Sequence, residues 1–252
     1  MLLLIDAGNT RIKWAAQVAG QPVGDWFAMG SVTHAGLAGL AAQWQALSVD
    51  QVLISNVAGE QIAAQLTQQL TALQPAPPSW QWFRSVPHCA GVLNSYREPQ
   101  QLGSDRFASL IGARHLFPNQ SLLVVTCGTA TTIDALDADG RFAGGMILPG
   151  LATMAQSLAL NTAQLPAIAE LHFAHLFADN TQDAIISGCM SAQVGAISLA
   201  LTRRAGPPAH CILSGGAASF IAPHLPGPCE RVDNLVLIGL AAAFAAQQRP
   251  AQ

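Results

Sequence analysis

Asp6 is the first residue of the chain whose type and setting could do chemistry. Four apolar residues, Leu2–Ile5, run straight into it, and the stretch "LLLIDAGNTRIK" continues through Ala7, Gly8, Asn9, Thr10, Arg11 and Ile12 to Lys13. A glycine that follows a strand lets backbone N–H groups converge on one concavity, which favours an anion. Asn9 and Thr10 add side-chain donors, and Lys13 adds a positive charge within reach of phosphate oxygens. Asp6 suits magnesium bound to phosphates, because that ion prefers oxygen ligands and keeps several waters. The chain has no GxxxxGK[ST] and no GxGxxG after this strand, which argues against a P-loop and against a Rossmann dinucleotide site. Taken alone, this composition also fits an ordinary turn.

A second copy changes the weight of the first. "LLLIDAGNT" at 2–10 is echoed by "LLVVTCGTA" at 122–130, about half a chain later. Asp6 falls opposite Thr126, Gly8 opposite Gly128 and Asn9 opposite Thr129. Two such turns facing one another across a cleft would hold a triphosphate from both sides. The echo predicts two similar α/β halves, 1–117 and 118–252, each presenting a turn from the end of its first strand.

A third constellation lies in "NSYREPQQLGSDRFASLIGAR", 94–114, where Gly103, Ser104, Asp105 and Arg106 precede an apolar helix. Ser and Asp are favoured at helix starts, so Asp105 could simply cap that helix. It could equally sit beside a substrate hydroxyl, with Arg106 offering a planar fork to a carboxylate or amide oxygen. Tyr96, the only tyrosine, could close over a small ligand or be a surface aromatic. "GGMILPG" at 144–150 reads as a shaped loop rather than a strand interior. Gly188, Ala192 and Gly195 would lie on one helical face, open to another backbone or to a flat ring. "LSGGAA" at 213–218 reads as a strand and a glycine turn that could approach a nucleotide.

The elements that must position these residues alternate. Short apolar runs at Leu2–Ile5, Val52–Ile54, Leu122–Val125 and Cys211–Leu213 read as strands. Helical spacing appears at Ile62–Leu73, Phe107–Leu116 and Thr181–Leu201. That alternation is the mark of an α/β fold. The chain is 51% hydrophobic and 10% charged with a net charge of −3, and its few cations are scattered, which argues against a nucleic-acid partner. Five cysteines without a CxxC pair suit reduced thiols rather than a disulfide framework or a zinc site. His172 and His175 could share a helix face, but no third metal ligand lies nearby. The first apolar run is broken by Asp6, unlike a signal peptide, and Leu235–Ala246 is too short to cross a bilayer. The expectation is a cytoplasmic protein with no membrane partner.

Together, "DAGNTRIK" (6–13), "GSDR" (103–106), "GTATTID" (128–134), "GGMILPG" (144–150) and "SGG" (214–216) resemble the type III pantothenate kinases. They recur in that family's order over nearly the whole chain, and GxDR separates the family from other members of the acetate kinase/sugar kinase/Hsp70/actin superfamily. The resemblance implies a duplicated actin-like ATPase (ribonuclease H-like) fold, with a nucleotide cleft between two similar α/β halves. It implies ATP-dependent phosphorylation of pantothenate to 4'-phosphopantothenate, the first step of coenzyme A biosynthesis. Asp6, Ala7, Gly8, Asn9, Thr10, Arg11, Ile12 and Lys13 match the first phosphate motif, with Asp6 toward Mg2+, and Thr129 matches a nucleotide contact. Tyr96, Gly103, Ser104, Asp105 and Arg106 match the pantothenate site, with Asp105 as the proton acceptor. Thr181 matches a threonine that the partner subunit of a homodimer contributes to the pocket. Family members use ATP, a divalent metal and K+ or NH4+. Thr126 stands where the family usually carries an aspartate that helps hold the monovalent ion, so that requirement is expected to be weaker here. The rival readings are another small-molecule kinase of the superfamily, and a regulatory protein that binds nucleotide or pantothenate without turnover.

Overall fold

The computed structural model describes residues 1–162, 164–166, 168, 175–203 and 209–248. The chain forms two compact units, one of Met1–Pro118, Gly140–Phe142 and Asn234–Gln252, the other of Asn119–Asp139 and Ala143–Asp233.

The first unit opens with β1 (Leu2–Ala7), β2 (Arg11–Gln17) and β3 (Ala28–Thr33), an antiparallel meander. Then follow α1 (Leu40–Gln45), β4 (Gln51–Asn56), α2 (Glu60–Thr71), β5 (Ser79–Trp82), the short β6 (His88–Cys89) and β7 (Val92–Asn94), and α3 (Ser104–Leu116). The sheet order is β3-β2-β1-β4-β5, with β4 and β5 parallel to β1. Strand side chains alternate between faces, and that alternation sorts the opening stretch. Leu3, Ile5, Ala7, Ile12, Trp14, Val52 and Ile54 join α1 and α2 in one core. Leu4, Asp6, Lys13 and Ser55 therefore face the other side, where α3 and α7 (Leu235–Gln247) pack on the sheet. Gly30 makes the first core possible, since a Cβ there would lie 2.7 Å from the Trp14 ring.

The second unit runs through β8 (Leu122–Cys127), β9 (Ala130–Leu136), β10 (Arg141–Pro149, whose first two residues belong to the first unit), α4 (Leu151–Asn161), α5 (Thr181–Arg203), β11 (His210–Ser214), α6 (Ala218–Ile221) and β12 (Cys229–Arg231). Its order, β10-β9-β8-β11-β12, repeats the first. β8 is antiparallel to β9 and parallel to β11, as β1 is to β2 and β4. The two echoed sequences are therefore the central strands of two equivalent sheets, and each runs into a hairpin.

Two expectations need correction. The first boundary falls between Pro118 and Asn119, one residue from the expected one, but the second half is not continuous to the end: from Asn234 the chain returns to the first unit, where α7 crosses α3 backbone to backbone. A Cβ on Gly239 would come within 1.7 Å of the Ala108 carbonyl oxygen, and one on Gly112 within 2.5 Å of the Leu235 oxygen. Two glycines thus remove the bulk that would hold these helices apart. "GGMILPG" is not a loop: 144–149 are the end of β10, and Gly150 is the N-cap of α4. Most of β10 is exposed, so it carries no apolar alternation by which sequence could reveal a strand, and Gly144 adopts φ +129°, open to glycine alone without strain.

α5 is the one described helix long and apolar enough to span a bilayer; Ile185, Cys189, Met190 and Ile197 bury one side of it in the core of the second unit. Gly188 and Gly195 on this helix would meet nothing within 4 Å if given a Cβ, so no described residue packs closely against either.

Candidate active site

In the first unit Asp6, at the end of β1, lies in register with Lys13 on β2 and Ser55 on β4. Register partners project to the same face, so a carboxylate sits between an ammonium and a hydroxyl. Ser55 is fully buried, and its Oγ lies 2.8 Å from Ser104 Oγ in the first turn of α3. That bond joins the strand end to the helix start and brings Asp105 to the Asp6 side of the sheet.

Burial lifts the Asp6 carboxyl to about 7, and the Asp105 charge pushes it the same way, while Lys13 pulls it down. Asp105 is raised as well, by burial, against the lowering effect of the Arg106 N–H and guanidinium. Two carboxylates near each other and half withdrawn from water favour a cation or a proton.

The helix start explains the glycine before it. A Cβ on Gly103 would stand 2.7 Å from Asp105 Oδ1, so glycine leaves room for that carboxylate to fold back without shifting. There Oδ1 accepts the Arg106 N–H at 2.8 Å. Arg106 is buried; its guanidinium lies 5.7 Å from the Tyr96 ring and 5.9 Å from that of Phe142, and it donates to the Tyr96 hydroxyl at 3.1 Å. Asn94 fixes the approach to Tyr96 by accepting its N–H at 3.2 Å and donating to the Pro99 carbonyl at 2.9 Å. Tyr96, Gly103, Ser104, Asp105 and Arg106 thus form one cluster.

The turn after β1 closes with the Gly8 N–H donating to the Arg11 carbonyl at 3.1 Å. Asn9, Thr10 and Arg11 are exposed, while Ala7 and Ile12 point into the core and can offer a ligand only their backbone.

In the second unit Thr126 occupies the position of Asp6, in register with Thr132 and Ser214. Its neighbours are hydroxyls, with no cation equivalent to Lys13. The turn that presents Thr129 is gripped by its surroundings. Gly150 N–H and Thr153 Oγ1 both donate to the Thr129 carbonyl at 2.8 Å, and Gln193 donates to the Pro149 carbonyl at 2.8 Å. A Cβ on Gly150 would stand 2.0 Å from the Gly128 oxygen, and one on Gly215 2.4 Å from the Cys127 oxygen. These glycines of "GGMILPG" and "LSGGAA" are there for close backbone approach.

Thr181 is exposed at the start of α5 and lines a groove of about 890 Å3 together with Met154 and Leu158 of α4, Gly188 of α5 and Asn180. Asn180 caps α5, accepting the Asp183 N–H at 3.0 Å and donating to its carboxylate at 2.7 Å. His172 lies outside the described residues, among which no cluster of three metal-ligating side chains occurs.

Ser55, Asn94, Gln193 and Thr153 were not singled out from sequence. Ser55 left a signal: in open α/β sheets ligands gather at the carboxyl ends of strands, and "VLISN" ends an apolar run on a hydroxyl. The other three act through backbone carbonyls whose positions no sequence pattern reveals.

The sequence profile of the type III pantothenate kinase family matches residues 2–203. A type III pantothenate kinase of Herminiimonas arsenicoxydans is 54% identical over 250 residues, 95% of this chain and 96% of that protein. Among solved structures, a candidate 2-dehydro-3-deoxygalactonokinase from Sinorhizobium meliloti superposes with a TM-score of 0.67 at 14% identity, covering 99% of this chain and 100% of that one. A candidate Baf family transcriptional activator from Campylobacter jejuni gives 0.60 at 20% identity, covering 97% and 98%. At such identities the solved structures establish the fold alone: a duplicated α/β unit of the sugar-kinase and actin-like ATPase type.

Proposed function

The chain belongs to the type III pantothenate kinases, and from that premise we propose that its phosphoryl-transfer chemistry is carried by Asp6, Lys13 and Asp105. The enzyme phosphorylates pantothenate at the expense of ATP, giving 4'-phosphopantothenate, the first step of coenzyme A biosynthesis. The observation that carries the residue assignment is the linkage of Asp6, through its register partner Ser55 and the Ser55–Ser104 bond, to the helix turn that bears Asp105.

Asp105 accepts a hydrogen bond from the primary hydroxyl of pantothenate. Phosphoryl transfer has a loose transition state, so positioning and charge stabilisation dominate. The carboxylate orients the hydroxyl and takes its proton late, and burial makes it a stronger base than a solvated aspartate. The Arg106 N–H holds Oδ1 in place during this step. Tyr96 and Arg106 contact the pantothenate chain. Lys13 neutralises charge on the phosphates, the Asn9–Thr10 turn donates to their oxygens, and Thr129 contacts the nucleotide.

Asp6 fits magnesium: it is an oxygen donor whose ionisation is opposed by burial and by a second carboxylate, both of which a divalent cation would relieve. Bound there, the ion would spread the negative charge of the phosphate groups. For K+ or NH4+ the corresponding position offers Thr126, Thr132 and Ser214, hydroxyls without a charge, so we assign this enzyme a weaker dependence than a carboxylate at 126 would give. The homodimer reading rests on Thr181, exposed at the rim of its groove and assigned to the partner's pantothenate pocket. A cytoplasmic location agrees with this chemistry.

Equilibrium binding tests the assignment. Lys13→Ala should weaken ATP while leaving pantothenate affinity near wild type, because the ammonium is aimed at phosphates. Loss of pantothenate binding with nucleotide binding intact would overturn it. ATP bound normally by wild type, with no ADP released on adding pantothenate, would support the non-catalytic regulatory reading instead.

A further inference from the structure

His34 stands just beyond β3, at the start of a 3-10 turn (His34–Gly39), and its Nε2 lies 2.9 Å from the Gly8 carbonyl oxygen. Thr33, the residue before it, is the register partner of Arg11, so the end of β3 delivers the imidazole to the hairpin that carries Gly8 and Asn9. A carbonyl only accepts, so Nε2 carries the proton and donates.

That bond has a consequence on the other side of the peptide. The Gly8–Asn9 peptide is trans. In a planar trans peptide the C=O and the following N–H point in opposite directions. Anchoring the Gly8 oxygen on His34 therefore aims the Asn9 N–H away from the imidazole. The Gly8 N–H cannot serve an anion, since it is spent on the Arg11 carbonyl. Asn9 is exposed, and among the described residues its N–H makes no hydrogen bond. It is the first main-chain donor after β1 that a ligand could use.

We propose that His34 is a positioning residue for ATP: by holding the Gly8 carbonyl it fixes the Gly8–Asn9 peptide plane and points the Asn9 N–H at a phosphate oxygen. The inference rests on the assignment of the 6–13 turn to phosphate. Without the imidazole this peptide, next to a glycine with no Cβ to restrict it, can rotate and lose the donor. A side-chain amide reaches the same oxygen and can replace the ring.

The test compares His34→Ala, His34→Gln and Lys13→Ala with wild type. It measures the Kd for a non-hydrolysable ATP analogue with magnesium, the KM values for ATP and pantothenate, and the backbone 15N–1H shift of Asn9 in ligand-free protein. His34→Ala should raise the analogue Kd and the ATP KM about tenfold, the scale of one lost hydrogen bond to a charged group. The pantothenate KM should stay unchanged, the Asn9 resonance should move, and His34→Gln should recover most of the affinity. A role confined to stability would lower Tm without separating the two KM values. Unchanged analogue affinity in a folded His34→Ala protein, or equal loss for both substrates with no rescue by glutamine, overturns the inference. If Lys13→Ala weakens the analogue and His34→Ala does not, only the role of His34 fails. If neither does, the phosphate assignment fails and this inference with it.

Discussion

Asp6 is held where its charge is unwelcome to the fold. In the unfolded chain an aspartate titrates near its ordinary value of 3.8, whereas in the folded protein burial and Asp105 lift Asp6 to about 7. Between those two values the folded state retains a proton that the unfolded state has lost, so this group's contribution to stability declines as pH rises through the window. Metal-free protein should therefore lose melting temperature from pH 5 to pH 8 more steeply than the Asp6→Asn variant. At pH 8 the variant should melt higher, by about 2–4 °C for each kcal/mol relieved, and be inactive. Parallel melting curves for the two proteins across this pH range would show that Asp6 bears no such burden. Functional sites commonly carry this kind of local cost, and here Lys13 offsets part of it.

At the scale of elements, the helix turn that carries Asp105 is only as well placed as α3 itself, and α3 is set by its crossing with α7. Gly239 lies so close to the Ala108 carbonyl that even one methyl group must push the helices apart. Gly239→Ala should cost about 1–3 kcal/mol, the usual range for overpacking. It should also reduce kcat, because Ser104 and Asp105 move with the helix. A variant with unchanged Tm and kcat would mean the crossing can slide without disturbing the site. This crossing marks the limit of what sequence revealed. β1, β4, β8 and β11 were legible as apolar runs because both of their faces are buried; α2 was legible by the stripe of Ile62, Leu66 and Leu70 that it buries, and α3 and α5 by their helical spacing. The second turn was legible as an echo of the first, and the repeated strand order explains why. β2, β3, β9 and β10 lacked such runs, being hairpin continuations interrupted by polar and glycine residues. α7 is buried on nearly every side, so it has no periodicity to betray where it packs. Its return to the first unit is a long-range contact between glycines, which composition cannot encode. At the candidate site, Asp6 and Lys13 drew notice because an apolar strand runs into a glycine turn there, and Asp105 because it stands in "GSDR" at a helix start. Ser55 and His34 did not, because a lone serine or histidine gains its meaning from a register partner or a neighbouring carbonyl.

At the scale of the whole molecule, the reading assigns each pantothenate pocket one chain's Asp105 and the other chain's Thr181. Asp105→Asn and Thr181→Ala subunits, each impaired alone, should then complement when mixed and allowed to exchange. Each mixed dimer would hold one pocket with both native groups, so statistical exchange should return about a quarter of wild-type sites. Absence of recovery, with exchange confirmed, would place Thr181 and Asp105 of one chain in the same pocket.

The proposed mechanism turns on Asp105 receiving the proton of the pantothenate hydroxyl. Its most direct test is single-turnover ADP formation by Asp105→Asn under saturating ATP, magnesium and pantothenate, alongside the nucleotide Kd. The amide keeps the shape of the carboxylate but cannot take the proton. The predicted result is a rate lower by about 10²–10⁴-fold, the usual worth of a general base, with ATP affinity little changed. Turnover near the wild-type rate would contradict the account and leave Asp105 as no more than the cap of its helix.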